Sequence, residues 1–327
     1  FDKIVVRNVV SWTALIGGYA QCGYGEEALH CFALMQAEGL SPDVFTFVST
    51  LKAIGIVGAG KEGQEIHARI VRDHSLGKSI VVDTALVDMY AKCGLLSKAQ
   101  EVFNEIPVRN VVSWTTLISG YTQHGHNEEA LSCYESMRRQ SIAPNEAILL
   151  CVLKACASIG AIDKGREIHA QIVQEGSLEQ NDIIGTALVD MYAKCGDITK
   201  AQQVFDRLSV QNIVSWTALI AGYAHLGGHD MVCNTFDKMI AKGITPNLIT
   251  FTVVLNACNH LGLLEKGQMY FEAMGNTYGI ISTVEHLTCM VDLFGRAGNF
   301  DKAVEIVKKM ESACCDHRPL WISLLGS

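Results

Sequence analysis

Val9-Val10-Ser11-Trp12-Thr13-Ala14-Leu15-Ile16 returns 102 residues later as Val111-Val112-Ser113-Trp114-Thr115-Thr116-Leu117-Ile118, and again as Ile213-Val214-Ser215-Trp216-Thr217-Ala218-Leu219-Ile220. A second string keeps the same step: Thr84-Ala85-Leu86-Val87-Asp88-Met89-Tyr90-Ala91-Lys92-Cys93-Gly94 recurs from Thr186 to Gly196 and, more loosely, from Thr288 to Gly298. Glu65-Ile66-His67-Ala68 reappears as Glu167-Ile168-His169-Ala170. A fixed step of this kind marks stacked repeats, each burying its apolar face on its neighbours. Such a chain offers a long binding surface rather than one catalytic cleft.

The period divides into three helical hairpins. In the first, Trp12, Leu15, Ile16 and Tyr19 fall at i, i+3, i+4 and i+7, one face of a helix. Cys22-Gly23 breaks it, and Glu26-Glu27 open a second helix where acidic groups suit the dipole. Ala28, Phe32 and Met35 line that second helix, Gly39 ends it, and Pro42 prevents its continuation. The same rhythm predicts nine units: 9–43, 44–79, 80–110, 111–145, 146–181, 182–212, 213–247, 248–283 and 284–316. Residues 1–8 read as the tail of a truncated unit, because Phe1-Asp2-Lys3-Ile4 matches Phe103-Asn104-Glu105-Ile106. Residues 317–327, with Trp321 and Leu324-Leu325, read as the start of a further, cut-off helix. The expectation is an all-α chain of about eighteen helices, with no strands and no linker.

Composition narrows the function classes. Hydrophobic content of 49% against 18% charged residues excludes a disordered chain. No apolar run approaches the roughly 20 residues of a membrane span, and no signal peptide opens the sequence, so any address is expected upstream. The twelve cysteines are mostly locked to the repeat (Cys93 with Cys195, Cys156 with Cys258), as small buried apolar residues would be. No Cys-x-x-Cys pair exists, and His67 and His169 lack partners at ligand spacing, so no metal site is expected. The adjacent Cys314-Cys315 stand outside the pattern and read as free thiols, in a reducing compartment. The formal charge of −8 counts against nucleic acid as partner, although a binding face needs only local cations. There is no phosphate loop, Gly-x-Ser-x-Gly elbow or zinc-deaminase signature, so this stretch is expected to be catalytically silent, without cofactor or small-molecule substrate.

The motifs Val-Ser-Trp-Thr-x-Leu-Ile-x-Gly-Tyr, Ala-Leu-Val-Asp-Met-Tyr-Ala-Lys-Cys-Gly, Gly-x-Glu-Ile-His-Ala and Glu-Glu-Ala-Leu-x-Cys-Phe/Tyr closely resemble the pentatricopeptide repeat family. The alternating lengths of 35, 36 and 31 residues resemble its plant-type PLS subfamily rather than the uniform 34-residue tetratricopeptide repeat. The resemblance implies a right-handed α-solenoid of stacked helix-turn-helix repeats that holds single-stranded RNA in a concave groove, one base per repeat. It also implies a mitochondrion or chloroplast as location. Relatives often carry C-terminal extensions and a C-to-U editing deaminase, so editing-complex proteins are further expected partners.

In that family the fifth and last residues of a unit read the base, Thr with Asp favouring G and Thr with Asn favouring A. Carried onto this chain, Thr13 with Asp43 and Thr288 with Asp316 imply G. Thr84 with Asn110, Thr115 with Asn145, Thr186 with Asn212, and Thr217 with Asn247 imply A. The longer units carry Val48 with Ser79, Leu150 with Asn181, and Thr252 with Thr283, and stay unread. The implied ligand is 5′-GNAANAANG-3′. The second residues Val10, Val81, Val112 and Val214 are expected to wedge between bases, and Lys92, Lys194 and Arg296 to meet phosphates.

Each reading has a plain counterpart. The Asp and Asn residues precede helices and are good N-caps, a role compatible with base reading. Trp12, Trp114 and Trp216 share the Leu-Ile-Tyr face, which points to core rather than base stacking. The lysine slot is equally well a solvated helix end. The alternative function is a protein-binding helical scaffold, which the acidic balance favours; a third is the recognition arm of a deaminase.

Overall fold

The computed structural model describes residues 7–72, 79–175 and 181–313, with backbone alone at 175 and 309–313. Residues Phe1 to Ile4, Cys314-Cys315, Asp316 and the 317–327 stretch lie outside the described residues. The described residues form eighteen helices and no strand, joined in two compact units, 1–155 and 156–327.

In the first unit, α1 (Val9–Gln21) and α2 (Gly25–Ala37) make one hairpin, α3 (Val44–Val57) and α4 (Gly60–Arg72) the next, and α5 (Ile80–Lys92) and α6 (Leu96–Glu105) the third. Helices α7 (Val111–Gln123) and α8 (Asn127–Arg139) follow, and α9 (Glu146–Ile159) begins in this unit. The packing is strictly sequential: α1 contacts α2 and α3, α3 contacts α4 and α5, and α5 contacts α6 and α7. The first helices α1, α3, α5 and α7 therefore lie side by side, while α2, α4 and α6 also touch the next first helix. The second unit repeats the scheme with α10 (Ile162–Glu175), α11 (Asp182–Lys194), α12 (Ile198–Arg207), α13 (Ile213–His225), α14 (His229–Ala241), α15 (Leu248–Leu261), α16 (Leu264–Asn276), α17 (Val284–Arg296) and α18 (Phe300–Ala313). There α11, α13, α15 and α17 form the row of first helices.

The core sits between the layers of each stack. In the first hairpin Trp12, Ile16, Ala20, Ala28, Phe32 and Met35 are buried together with Phe47 of the next. All three repeat tryptophans are core residues, at 2–3% exposure. Trp114 meets Phe103 edge-on at 4.6 Å, and Trp216 meets Phe205 at 4.7 Å. Tyr19 departs from the expected face. Its periodic counterparts Tyr121 and Tyr223 pack back onto the preceding hairpin and donate to Gln100 and Gln202, both at 3.0 Å. Tyr19 belongs to the first described hairpin and is exposed. The buried stripe of α1 is therefore Trp12, Ile16 and Ala20.

Helix ends follow local chemistry. Gly39 has φ 74°, the left-handed conformation that closes α2, and Gly58 at φ 77° closes α3. Glycine also sets how closely hairpins approach. A Cβ on Gly63 of α4 would collide with the Met89 sulfur of α5, and one on Gly165 of α10 would meet the Met191 sulfur of α11 in the same way. A Cβ on Gly120 of α7 would lie 2.6 Å from the Ala91 methyl of α5, and one on Gly222 of α13 would lie 2.7 Å from the Ala193 methyl of α11.

Candidate nucleic-acid interface

The last residue of a unit is the N-cap of the next unit's first helix. Asp43, Asn110, Asn212 and Asn247 each accept the backbone N–H of the residue three places on, through Oδ1 at 2.7–3.0 Å. Asn145 does the same for Ile148 at 2.9 Å. A cap of this type satisfies one of the four orphan donors of a helix start and contributes about 1 kcal/mol. It also fixes the side chain beside the first turn of the helix, next to the fifth residue of the previous unit.

How the fifth and last residues meet depends on the third residue of the following unit. Where it is threonine, a bridge forms. The Thr46 hydroxyl donates to Asp43 Oδ1 at 2.7 Å and lies 2.6 Å from the Thr13 hydroxyl. The Thr250 hydroxyl likewise donates to Asn247 Oδ1 and contacts the Thr217 hydroxyl, both at 2.9 Å. Where it is apolar Ile148, the pair meets directly: Asn145 Nδ2 donates to the Thr115 hydroxyl at 3.1 Å, while Thr115 donates to the Val111 carbonyl at 2.7 Å. Where it is serine, the hydroxyl turns to the backbone. Ser113 donates to the Asn110 carbonyl and Ser215 to the Asn212 carbonyl, each at 2.9 Å. No hydrogen bond joins Thr84 to Asn110 or Thr186 to Asn212 among the described residues, and the Thr186 hydroxyl is buried without a partner. Thr288 donates to the Val284 carbonyl at 2.8 Å; its partner Asp316 lies outside the described residues.

The longer unit 248–283 carries a connection that sequence reasoning missed. Buried His286 has Nδ1 2.6 Å from the Thr283 hydroxyl, and Nε2 3.1 Å from the Thr252 hydroxyl and 3.0 Å from the Leu248 carbonyl. The carbonyl can only accept, so Nε2 carries the proton and Nδ1 accepts from Thr283.

Beside these pairs stands a row of exposed apolar side chains. Val10, Val81, Val112 and Val214 are 54–73% exposed. Phe45, Ile183 and Ile249 occupy the same second slot and are equally exposed, and they join the set although the sequence reading named only the valines. The shared slot was the available signal.

Lys92, Lys194 and Arg296 all sit in last turns of first helices, each paired with an aspartate four residues earlier: Asp88 at 2.6 Å, Asp190 at 2.8 Å and Asp292 at 3.3 Å. Their charge is thus partly neutralised within the helix. His67 and His169 contact the Tyr90 and Tyr192 hydroxyls at 2.9 Å, and no metal-binding cluster occurs among the described residues. Burial pushes the Cys156 thiol up to about 12 and the Cys289 thiol up to about 11, a core behaviour. No described helix is long and apolar enough to cross a membrane.

Models of the PPR repeat family match residues 7–55, 109–158 and 211–260, and models of the PPR repeat match 84–111, 186–213, 249–276 and 285–315. The chain belongs to the pentatricopeptide repeat family. Among similar pentatricopeptide repeat-containing proteins of Arabidopsis thaliana, the chloroplastic protein CRR2 is 39% identical across all of this chain and 50% of its own length. The mitochondrial protein At1g06140 is 37% identical over 95% of this chain and 55% of its own. The chain spans about half the length of the curated relatives it matches. Maize PPR10, solved in complex with an 18-nucleotide psaJ RNA element, superposes with a TM-score of 0.78 at 20% identity, over 95% of this chain and 46% of that one. The fold is thus the all-helical solenoid of a pentatricopeptide repeat protein, and the polar pairs lie on the row of first helices in each unit.

Proposed function

We propose that this pentatricopeptide repeat chain binds single-stranded RNA, one base per hairpin. The observation that carries the reading is a repeated pairing: an exposed apolar side chain in the second slot next to a threonine with an Asp or Asn cap. An exposed Val or Phe gains nothing from water, but it can stack on the faces of unpaired bases. The neighbouring polar pair then meets the Watson–Crick edge, as expected of helical repeats that read one base each. Favoured ligands follow 5′-GNAANAANG-3′, with Thr13/Asp43 and Thr288/Asp316 taking G and the four Thr/Asn pairs taking A. From the alternating unit lengths we infer membership of the PLS subfamily and a role as the recognition part of an organellar C-to-U editing factor. The chloroplastic and mitochondrial names of relatives support an organelle as its site of action.

The test is binding of 5′-GNAANAANG-3′ RNA, unread positions randomised, against a composition-matched scramble at two salt concentrations. Preference for the designed RNA with a salt slope near −0.7 per phosphate contacted is the expected result. Equal binding of both RNAs refutes the base assignments. No RNA binding refutes the function and favours a protein-binding scaffold, which the net charge of −8 would suit.

A further inference from the structure

We propose that the third residue of the following unit (Thr46, Thr250 and His286) is a positioning residue for base recognition, which fixes the donor and acceptor pattern of the pair before it. The inference rests on the reading that fifth and last residues meet the base. It arises from the bridge geometry, in which these side chains are wholly buried and touch both members of a pair.

The proton count shows what the bridge does. Asp43 is a carboxylate and can only accept, so the single Thr46 proton is spent on Oδ1 at 2.7 Å. Thr46 can then only accept from Thr13, at 2.6 Å. Thr13 has therefore spent its own proton and turns lone pairs outward. The unit 9–43 presents acceptor beside acceptor, which matches the N1–H and N2–H donors of guanine. In unit 213–247 the Thr250 hydroxyl and backbone N–H both donate to Asn247 Oδ1 at 2.9 Å. These two donors pin the amide oxygen inward and leave Nδ2–H facing out. Thr217 donates to Thr250 and again offers lone pairs. Donor beside acceptor matches adenine, with N1 accepting and N6–H donating. In the two pairs bridged by threonine, bond polarity along the bridge thus matches G at Thr13/Asp43 and A at Thr217/Asn247.

Serine at the third place does not build it. Ser11, Ser113 and Ser215 all donate to the backbone carbonyl of the cap residue, at 2.8–2.9 Å. The β-methyl of threonine restricts χ1 and separates the two behaviours. In the pairs Thr84/Asn110 and Thr186/Asn212 the last residue is held by the backbone cap alone. His286 extends the device to the longer unit 248–283, joining Thr252 to Thr283.

The test measures discrimination, the ratio of Kd values for the four bases at a single RNA position, by fluorescence anisotropy. The proteins are wild type, Thr250→Val, Thr250→Ser and Ser113→Thr. Circular dichroism establishes folding of each. Both Thr250 variants should lose roughly three- to tenfold in discrimination at the base of unit 213–247, the scale of one hydrogen bond, and lose nothing at unit 111–145. Ser113→Thr should gain by a similar factor at unit 80–110, a change that misfolding cannot produce. Wild-type discrimination that none of the three variants alters would overturn the positioning role and leave base reading intact. Wild type without discrimination at any position would overturn base reading, and the bridge's role with it.

Discussion

Replacing Asn145 by Asp inverts one hydrogen bond and should change which base unit 111–145 prefers. In the native pair Asn145 Nδ2 donates to Thr115 at 3.1 Å, and Thr115 passes its proton to the Val111 carbonyl at 2.7 Å. An aspartate has no proton to give, so Thr115 must turn its hydroxyl toward residue 145. Two neutral bonds of about 1 kcal/mol each are lost, and one hydroxyl-to-carboxylate bond of roughly 1.5–3 kcal/mol replaces them. The cap to the Ile148 N–H survives, because Asp and Asn are equivalent N-caps, and negative charge suits a helix start. Stability should therefore move by less than about 1 kcal/mol. The outward face, in contrast, loses its only amide donor. Adenine N1 would meet a carboxylate lone pair, while guanine N1–H and N2–H gain acceptors. At about 1–3 kcal/mol per good base-edge pair, preference at the fourth position of GNAANAANG should swing from A to G by roughly 5- to 150-fold. Fluorescence anisotropy with RNAs differing only at that position measures it, with a thermal melt alongside. A variant with native-like melting that still prefers A refutes the reasoning.

Gly165→Ala should destabilise the fold by about 1–3 kcal/mol in urea titration, because its Cβ meets the Met191 sulfur; Gly18→Ala, with open space around it, should stabilise by a few tenths to about 1 kcal/mol. Val112→Ser and Val214→Ser should weaken RNA binding without lowering the melting temperature, since both side chains are more than half exposed; unchanged affinity removes them from the interface. Asp190→Asn frees Lys194 and should steepen the salt slope of RNA binding by up to about 0.7, whereas an unchanged slope excludes Lys194 from phosphate contact. The thiols of Cys156 and Cys289, raised by burial in the folded chain, favour folding below about pH 9 and lose that contribution as pH rises toward 11–12. Alkaline titration followed by circular dichroism should therefore show unfolding above pH 9, and native-state alkylation at pH 8 should label exposed Cys22 well before either.

The hairpin order was readable because the period of 102 repeats the burial pattern with the letters: Trp12, Trp114 and Trp216 are core in all three copies. Tyr121 and Tyr223, in the slot of Tyr19, each meet a glutamine of the preceding hairpin, a contact that spacing within one helix does not contain. The caps were visible as Asp or Asn before an apolar run. The bridges were not, because Thr46 and Ser113 occupy one slot and differ by a methyl group that decides where the hydroxyl points. The pairing of Lys92 with Asp88 follows from a four-residue separation and was present in the sequence, but spacing alone does not show that the two side chains close to 2.6 Å. His286 resembles a surface histidine by letter; only the stack reveals that it reaches Thr252 on the preceding first helix.

The glycine contacts carry a consequence for building variants. Gly63 belongs to one hairpin and the methionine it admits to the next, and Gly120 reaches back to Ala91 in the same way. A single hairpin moved elsewhere would carry half of two locks and leave their mates behind. A block of 102 residues carries both halves of such a contact, as Gly165–Met191 repeats Gly63–Met89 and Gly222–Ala193 repeats Gly120–Ala91. The interchangeable part of this chain is therefore the triplet, and a library of altered RNA readers should be assembled three hairpins at a time.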